Sequence, residues 1–537
     1  MKKILNTRIA VTIALSASLS VFFVTSVYAA GTAVRTSSEP SIGGLMPEEY
    51  LDQQLLLHEW LMSELPDGAL EVPIRVPLTG QDRRAIANDT TPLPRPRRVG
   101  IVKRVGRTVK VWRGGPVAKT PARLSEGVIR GTDDGGFVWA VALQSENTSA
   151  LRVHLSNVFL PDSADVYFFS LDGQAHGPYR GSDDFWTNTL MGTQGILLVR
   201  QFGPPAAGTR AMSISVSSVA NMSEQFVVSA QAMLCDYNHP CIENAEDYSH
   251  TQPAKDLKAA TAYMQWTQGA WVYSCSGGLI ADSDTQSQIP YFLTANHCLK
   301  SNASARNLEL YWNYTTANGS CNGPTGPMTS GAKVKATGVQ GDFTLLELNQ
   351  PPPSTSMFMG WNSEPIATTS GKLLHRVHHP KGAPQSYTTH VTNPDFVACG
   401  GLPIGQFIYS VDMLGSTEGG SSGSLVTNDA GEVVGQLYGG CGTYFDECRS
   451  DKWRTVDGAL SFYFDKVAGF LAPQSCVPIT EVCTDGVDND CDTAVDCDDG
   501  DCNGNDACLA SCGPKNAACD ANPDCCSGTC KRNGRCR

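Results

Sequence analysis

The distribution of cysteine constrains this chain more than any other feature. Of 20 cysteines, none precedes Cys235, eight lie from Cys235 to Cys448, and twelve crowd Cys476 to Cys536. Three zones follow: an N-terminal zone without cysteine, a central zone with a few, and a short tail that must rely on bridges because it cannot build an adequate apolar core. So many cysteines suit an oxidising compartment. The N-terminus agrees, with Lys2, Lys3 and Arg8, an apolar stretch from Ile9 to Val24, and the small-residue pattern Val27-Tyr28-Ala29. That is the layout of a cleaved secretory leader over residues 1–29, shorter in its apolar part than the ~20 residues needed to span a bilayer. A secreted protein without a membrane span is expected. At 537 residues and 41% hydrophobic content, several domains are expected and wholesale disorder is not.

Residues 30–98 are rich in Pro and charge and read as a flexible pro-segment, in which Pro47 to Met62 can form one amphipathic helix. From 99 to 228, runs such as Gly136-Phe137-Val138-Trp139-Ala140-Val141-Ala142-Leu143 and Ala164-Asp165-Val166-Tyr167-Phe168-Phe169, separated by Gly, Asp and Pro, read as a β-sandwich.

The central zone carries three short motifs: Thr294-Ala295-Asn296-His297-Cys298, Gly341-Asp342-Phe343-Thr344-Leu345-Leu346 and Gly419-Gly420-Ser421-Ser422-Gly423-Ser424. Their histidine, aspartate and serine follow one another in the order of a serine-protease triad. An apolar run puts His297 at a strand end, and a Gly-rich turn lets the backbone around Ser422 approach a substrate carbonyl. In such a triad His297 is the general base, Asp342 orients its ring, and Ser422 attacks, with Ser421 and Ser424 as competitors. Taken singly, each residue reads as a structural histidine, a turn aspartate or a loop serine; taken together and in order, they read as a site.

The motifs extend further: Ser274-Cys275-Ser276-Gly277-Gly278-Leu279-Ile280, Tyr291-Phe292-Leu293, Tyr311-Trp312-Asn313-Tyr314, His378-His379-Pro380 and Gly435-Gln436-Leu437. With the triad motifs they resemble the bacterial lysyl endopeptidases, members of the chymotrypsin-like serine proteases. The resemblance implies an all-β protein: a double six-stranded β-barrel over residues 235–472, preceded by the β-sandwich pro-region and followed by small disulfide-rich modules. It selects Ser422 through a Gly-x-Ser-Gly alignment and places the oxyanion hole at the N–H groups of Gly420 and Ser422. The stretch from Asp172 to Thr187 looks like pro-regions of bacterial exported proteases, implying folding assistance or inhibition.

Ser416 stands where trypsins carry their pocket acid, and the resemblance to the lysyl endopeptidases, which supply that acid after the nucleophile in an Arg-Ser-Asp segment, implies Asp451 of Arg449-Ser450-Asp451 instead. A carboxylate there would pair with a substrate lysine. Tyr438 and Gly439 would line the same pocket. Cys399 and Tyr438 replace the family's aromatic–histidine pair, so arginine is admissible too. The resemblance further implies the disulfides Cys235–Cys448, Cys241–Cys321 and Cys275–Cys298, leaving Cys399–Cys441. Ser421 occupies the place of the aspartate against which trypsins insert a new N-terminus, so latency must come from elsewhere; and with no Lys or Arg between Ala211 and Leu234, a basic-specific enzyme cannot cut itself just before Cys235.

The tail divides in two. Residues 476–508 concentrate Asp between cysteines, a set of oxygen ligands suited to calcium but without EF-hand spacing. Residues 512–537 have the spacing of an inhibitor cystine knot, which implies Cys512–Cys526, Cys519–Cys530 and Cys525–Cys536 and suggests surface or receptor binding. The His375-x-x-His378-His379 turn has no carboxylate or thiol at ligand spacing and is read as structural. The expected function is a secreted endopeptidase acting on proteins and peptides, without a required cofactor, a metal in the protease domain or a nucleic-acid partner. The alternative is a catalytically dead barrel serving as a binding scaffold or adhesin through its tail.

Overall fold

The computed structural model describes residues 33–88, 94–180, 184–222, 243–284, 288–316, 326–395, 399–442, 453–473, 482–484, 500–502, 530–531 and 535–536. Two six-stranded barrels occupy the centre. In the first, Thr261–Gln268 pairs with Trp271–Leu279 and Glu309–Tyr311, and Trp271–Leu279 continues to Tyr291–Ala295, then Phe343–Leu348 and Ala332–Gly338. Ring closure falls to a bent strand: Met328–Ser330 pairs with Glu309–Tyr311, and only Gly331 separates it from Ala332–Gly338. Gly331 adopts φ +77°, a left-handed conformation open to glycine, and there the strand turns its corner.

The second barrel closes completely. Leu373–His378, Ser386–Thr392, Phe407–Leu414, Trp453–Ala459, Val433–Gly442 and Leu425–Asn428 pair in that order and return to the first. The C-terminal helix Leu460–Leu471 packs back across the junction, with Tyr463 stacked on Phe343 at a 4.1 Å centroid separation. The architecture is the all-β double barrel expected from the sequence.

The N-terminal region is a two-sheet sandwich. One sheet holds Phe137–Gln144, Gln194–Gln201 and Ala164–Phe169; the other holds Arg97–Trp112, Met212–Met222 and Ala150–Phe159. Between them lie Val109, Val111, Trp139, Val141, Val153, Leu155, Phe168, Leu197 and Ile214. The run Phe137–Leu143 is apolar on both faces because its outer face is also covered. Val138 and Ala140 pack with Leu61, Leu57 and Trp60 of the helix Pro47–Glu64.

The helix matches the one read from the sequence over Pro47 to Met62, and its packing on the sandwich corrects the expectation of a flexible segment over residues 30–98. Pro47 at its start lacks an N–H that would go unpaired there anyway, and the Met46 N–H is met by Glu49 at 2.9 Å. Trp60 then stacks on Phe202 and meets Tyr167 edge-on. A second helix, Gly80–Ala87, has Thr79 as its cap. Composition hid this order because the apolar partners lie some hundred residues downstream. The sandwich strand also starts at Arg97, inside the segment assigned to flexibility.

Sandwich and barrel share one sheet. Arg97–Trp112 pairs with Trp271–Leu279, placing Ile101 opposite Trp271, Gly100 opposite Val272, Arg98 opposite Tyr273 and Arg97 opposite Ser274. A buried ion pair crosses the same junction: Arg152 of the sandwich lies 3.5 Å from Glu309 of the barrel, with side chains 3% and 0% exposed. The Glu309 carboxylate also accepts from the Thr189 N–H (2.8 Å), the Thr189 hydroxyl (2.6 Å) and Gln265 (3.1 Å), the satisfaction that a buried charge requires. No helix among the described residues is long and apolar enough to cross a membrane.

Candidate active site

His297 follows the strand Tyr291–Ala295, and Asp342 precedes the neighbouring strand Phe343–Leu348, so sheet pairing delivers both to one barrel end. One carboxylate oxygen of Asp342 accepts from the His297 backbone N–H at 2.9 Å, and the other lies 2.6 Å from Nδ1. The aspartate reaches this position through a left-handed backbone, φ +50°, after Gly341 at φ +76°. Short polar side chains tolerate that region better than most, and the turn is fixed from behind. Gln436 donates to the carbonyls of Gly341 (2.9 Å) and Asp342 (3.0 Å), the Asn296 N–H donates to the Asp342 carbonyl (2.9 Å), and the Tyr463 hydroxyl holds Gln436.

The loop 419–424 comes from the second barrel, just before Leu425–Asn428. Two glycines let it lie against its neighbours. A Cβ on Gly423 (φ +84°) would come within 2.2 Å of the Thr294 hydroxyl and 2.4 Å of the Ser276 carbonyl. At Gly420 (φ +104°) it would meet the His379 carbonyl at 3.0 Å. The first barrel grips the loop: the Ser276 hydroxyl donates to the Gly420 carbonyl and the Ser276 N–H to the Ser422 carbonyl, both at 2.9 Å. Among the described residues, the N–H groups of Gly420 and Ser422 have no protein acceptor.

The three serines of the loop differ in surroundings. Ser421 is fully buried, its hydroxyl 2.7 Å from His378 Nδ1 and accepting from the Glu418 N–H at 3.1 Å. Ser424 is fully buried as well and accepts from Arg376 at 3.1 Å. Ser422 lines the cleft. Arg376 also donates to the Ser424 carbonyl at 2.9 Å and pairs with Asp457, both side chains 0% exposed.

The cleft wall beyond Ser422 is built from Thr417, Glu418, Tyr438, Gly439, Gly440 and Trp453. Tyr438 stands edge-on to His297 (6.0 Å between centroids) and to Phe407 (5.4 Å); burial, with the Asp342 charge next, pushes its hydroxyl pKa up to about 12. Trp453 lies so close over Gly440 that a Cβ there would overlap its ring. Glu418 pairs with Lys381 at 2.7 Å, and Ser416 is buried beneath, donating to Asp412 at 3.4 Å. Asp451 lies outside the described residues, two positions before Trp453.

Cys275 is bonded to Cys298 beside His297, and Cys399 to Cys441 at the cleft rim. Since Cys275 and Cys298 are bridged, their sulfurs near His297 are not thiolate ligands. Cys235–Cys448, Cys241–Cys321 and the three expected knot pairs involve residues outside the described set. Among the described residues of the tail, Cys530–Lys531 pairs with Arg535–Cys536 as a hairpin, and in the acidic module Cys483 is bonded to Cys502. The Asp cluster named for calcium, residues 485–499, is also outside. The clustered histidines diverge: His375 meets Tyr387 and Asp429, His378 meets Ser421, and His379 meets the Ala383 carbonyl.

Residues 229–453 match the lysyl endopeptidase C-terminal domain family. A lysyl endopeptidase of Pseudomonas aeruginosa is 30% identical over 240 residues, 42% of this chain and 50% of that protein. The chain thus spans about half the length of the curated relative it matches. Among solved structures, the active form of a protease from M. tuberculosis aligns with 43% of this chain and 89% of its own at 15% identity and TM-score 0.29. An inactivated protease paralogue of the scabies mite aligns with 39% and 93% at 15% identity and TM-score 0.28. Both likenesses are too distant to bear on chemistry.

Sequence reading missed the residues that hold the site from behind: Ser276, Arg376, Gln436, Asp457 and Tyr463. Ser276 and Gln436 sat inside motifs already noticed, yet their roles depend on partners up to 144 residues away. Nothing local marks such a residue.

Proposed function

We propose that residues 235–472 form a secreted serine endopeptidase that cleaves after a basic side chain. The observations that carry this reading are the doubly bonded His297–Asp342 pair and the one serine of the loop 419–424 that lines the cleft, Ser422. Asp342 accepts from Nδ1, which fixes the tautomer that leaves Nε2 as base. Ser422 Oγ attacks the scissile carbonyl carbon and its proton passes to His297. The N–H groups of Gly420 and Ser422 bind the oxyanion, a contribution for which one donor is typically worth ~3 kcal/mol. The C–N bond then breaks as His297 returns the proton to the departing nitrogen, leaving an ester on Ser422. Water, deprotonated by His297, attacks the ester, and the acid product leaves with the serine hydroxyl restored.

Lysine or arginine as the preferred residue rests on Asp451, on the narrow wall of Tyr438, Gly439 and Trp453, and on the 30% identical relative named a lysyl endopeptidase. Secretion rests on the leader-like N-terminus and on the bridged cysteines. The tail is assigned to surface binding, with calcium as the cation for its acidic part. The decisive experiment is labelling with a fluorophosphonate. Modification should fall on Ser422 and vanish in Ser422→Ala, whereas labelling that persists in that variant, or none after the chain has been nicked by an added protease, would sink the proposal.

A further inference from the structure

The cleft is not open to solvent along its whole length, because the N-terminal region crosses it. Arg97, the first residue of the shared strand, lies opposite Ser274, which adjoins Cys275 of the disulfide beside His297. Following the chain backwards, Pro96 lines a hollow with His297, Cys298 and Tyr273. Arg95 lines that hollow and also the larger cavity walled by Ser422, Tyr438 and Gly439. Pro94 lines the larger cavity alone. The order Pro94, Arg95, Pro96, Arg97 therefore runs from the specificity wall, between Ser422 and His297, to the disulfide side.

We propose that residues 94–97 are a resident, substrate-like strap that keeps the protease latent, with Arg95 on the acyl side and Arg95–Pro96 as the bond presented to Ser422. The inference rests on the endopeptidase reading and adds its regulation. Direction supports it: the acyl side of the strap meets the wall built for side-chain recognition, and the departing side meets the proton donor His297. The residue on the acyl side is basic, as the proposed specificity requires.

The same four residues explain why the strap would persist. Pro96 makes the bond a tertiary amide, with Cδ where an ordinary leaving nitrogen carries hydrogen. His297 would have to protonate a nitrogen shielded by the ring, so the C–N bond fails to break and any tetrahedral adduct collapses back, expelling the Ser422 oxygen, which regains its proton from His297. Prolines on both sides also pre-set the backbone: Pro94 fixes its own φ, and Pro96 drives Arg95 towards an extended conformation. Little conformational freedom is then lost on occupying the cleft.

Anchoring comes from downstream. Arg97 is held in the shared sheet opposite Ser274, and the Arg98 guanidinium sits 3.8 Å over the Trp271 ring. The strand continues into the sandwich, which the buried Arg152–Glu309 pair locks to the barrel. A ligand tethered this way acts at a high effective concentration, so modest contacts suffice to fill the site.

The test uses the whole chain in four forms: wild type, Arg95→Glu, Pro96→Ala, and Pro96→Ala combined with Ser422→Ala. Pro96→Ala should turn the strap into a substrate, cut once between positions 95 and 96 as read by N-terminal sequencing, and the added Ser422→Ala should abolish that cut. Arg95→Glu should stay intact there yet hydrolyse a small lysine or arginine peptide at least about tenfold faster than the wild-type chain, with unchanged thermal unfolding. If neither variant differs from wild type while wild-type chain nicked by an added metalloprotease labels with fluorophosphonate, the strap is wrong and the protease reading stands. If the nicked chain does not label either, the reading beneath the strap fails with it.

Discussion

The two sides of the loop 419–424 carry nearly the same chemistry in opposite surroundings. On the cleft side, Ser422 lines the larger cavity and His297 a separate hollow, with Arg95 lining both, and His297 is backed by Asp342. On the buried side, Ser421 is hydrogen-bonded to His378 at 2.7 Å, a serine–histidine contact as good as any catalytic pair needs. Yet among the described residues no carboxylate backs His378, and both side chains are fully buried. Burial, aided by the charges of Arg376, His390 and His379, pushes the His378 pKa well below its ordinary value. A third variation lies deeper in the second barrel, where His390 has its aspartate, Asp412, at 2.9 Å, but its other nitrogen is taken by Thr388 at 2.8 Å. Residue types and hydrogen bonds alone therefore do not make a site. What distinguishes the cleft is a histidine with a carboxylate behind it and room in front.

The sharpest way to break this contrast is to delete the serines separately. Ser422→Ala should lower amide hydrolysis by ~10³-fold or more in a folded protein, whereas Ser421→Ala should cost under about tenfold through a loosened loop; kcat/KM on a small peptide decides, and the reverse ranking would move the nucleophile to the buried side. The aspartates come next. Asp342→Asn should reduce kcat by up to ~10⁴-fold by presenting the wrong tautomer. Asp412→Asn should instead lose ~1–3 kcal/mol of stability through unmatched buried groups while turnover per labelled site stays close to wild type. Urea titration and active-site labelling separate the two outcomes.

Asp451→Asn sharpens the comparison at the far end of the cleft. If it supplies the pocket charge, the preference for lysine over methionine peptides should shrink by ~2–5 kcal/mol; a solvated aspartate would change that ratio by under ~1 kcal/mol.

Acid should act on the buried side of the loop through stability. Burial lowers His379 to about 4, so the folded chain keeps it neutral while the unfolded chain takes up a proton near its ordinary value of about 6.5. Stability is then complete above about pH 6.5 and falls as pH drops towards 4, by up to ~1.4 kcal/mol per pH unit for each such histidine. Urea midpoints of Ser422→Ala at pH 7 and pH 5 should differ accordingly, and His379→Gln should flatten the slope. The smallest effect belongs to the tail: removing residues from Cys476 onward should leave small-peptide turnover nearly unchanged and alter only attachment to surfaces, which a binding assay on cells would register.

The sequence by itself determined the all-β class, the zoning by cysteine, the three motifs in order, the pair Cys275–Cys298 through a resemblance confined to the central zone, and Cys399–Cys441 as the two cysteines left over there. Those features are legible because they are local: strand periodicity, turn glycines and short motifs write themselves into neighbouring residues. Tertiary structure supplies the physical reason for Ser422, which the resemblance selects: Ser421, Ser422 and Ser424 share one glycine-rich turn and differ in what packs on them. It also decided that Arg376 and Asp457 lie under that turn, that Gln436 pins the left-handed Asp342, and that Pro94-Arg95-Pro96-Arg97, read from composition as part of a flexible segment, lies across the cleft. Each of these rests on contacts between residues far apart in the chain. Their energy comes from burial and hydrogen bonding that exist only once both barrels and the sandwich have closed around them, so no local pattern could have carried it.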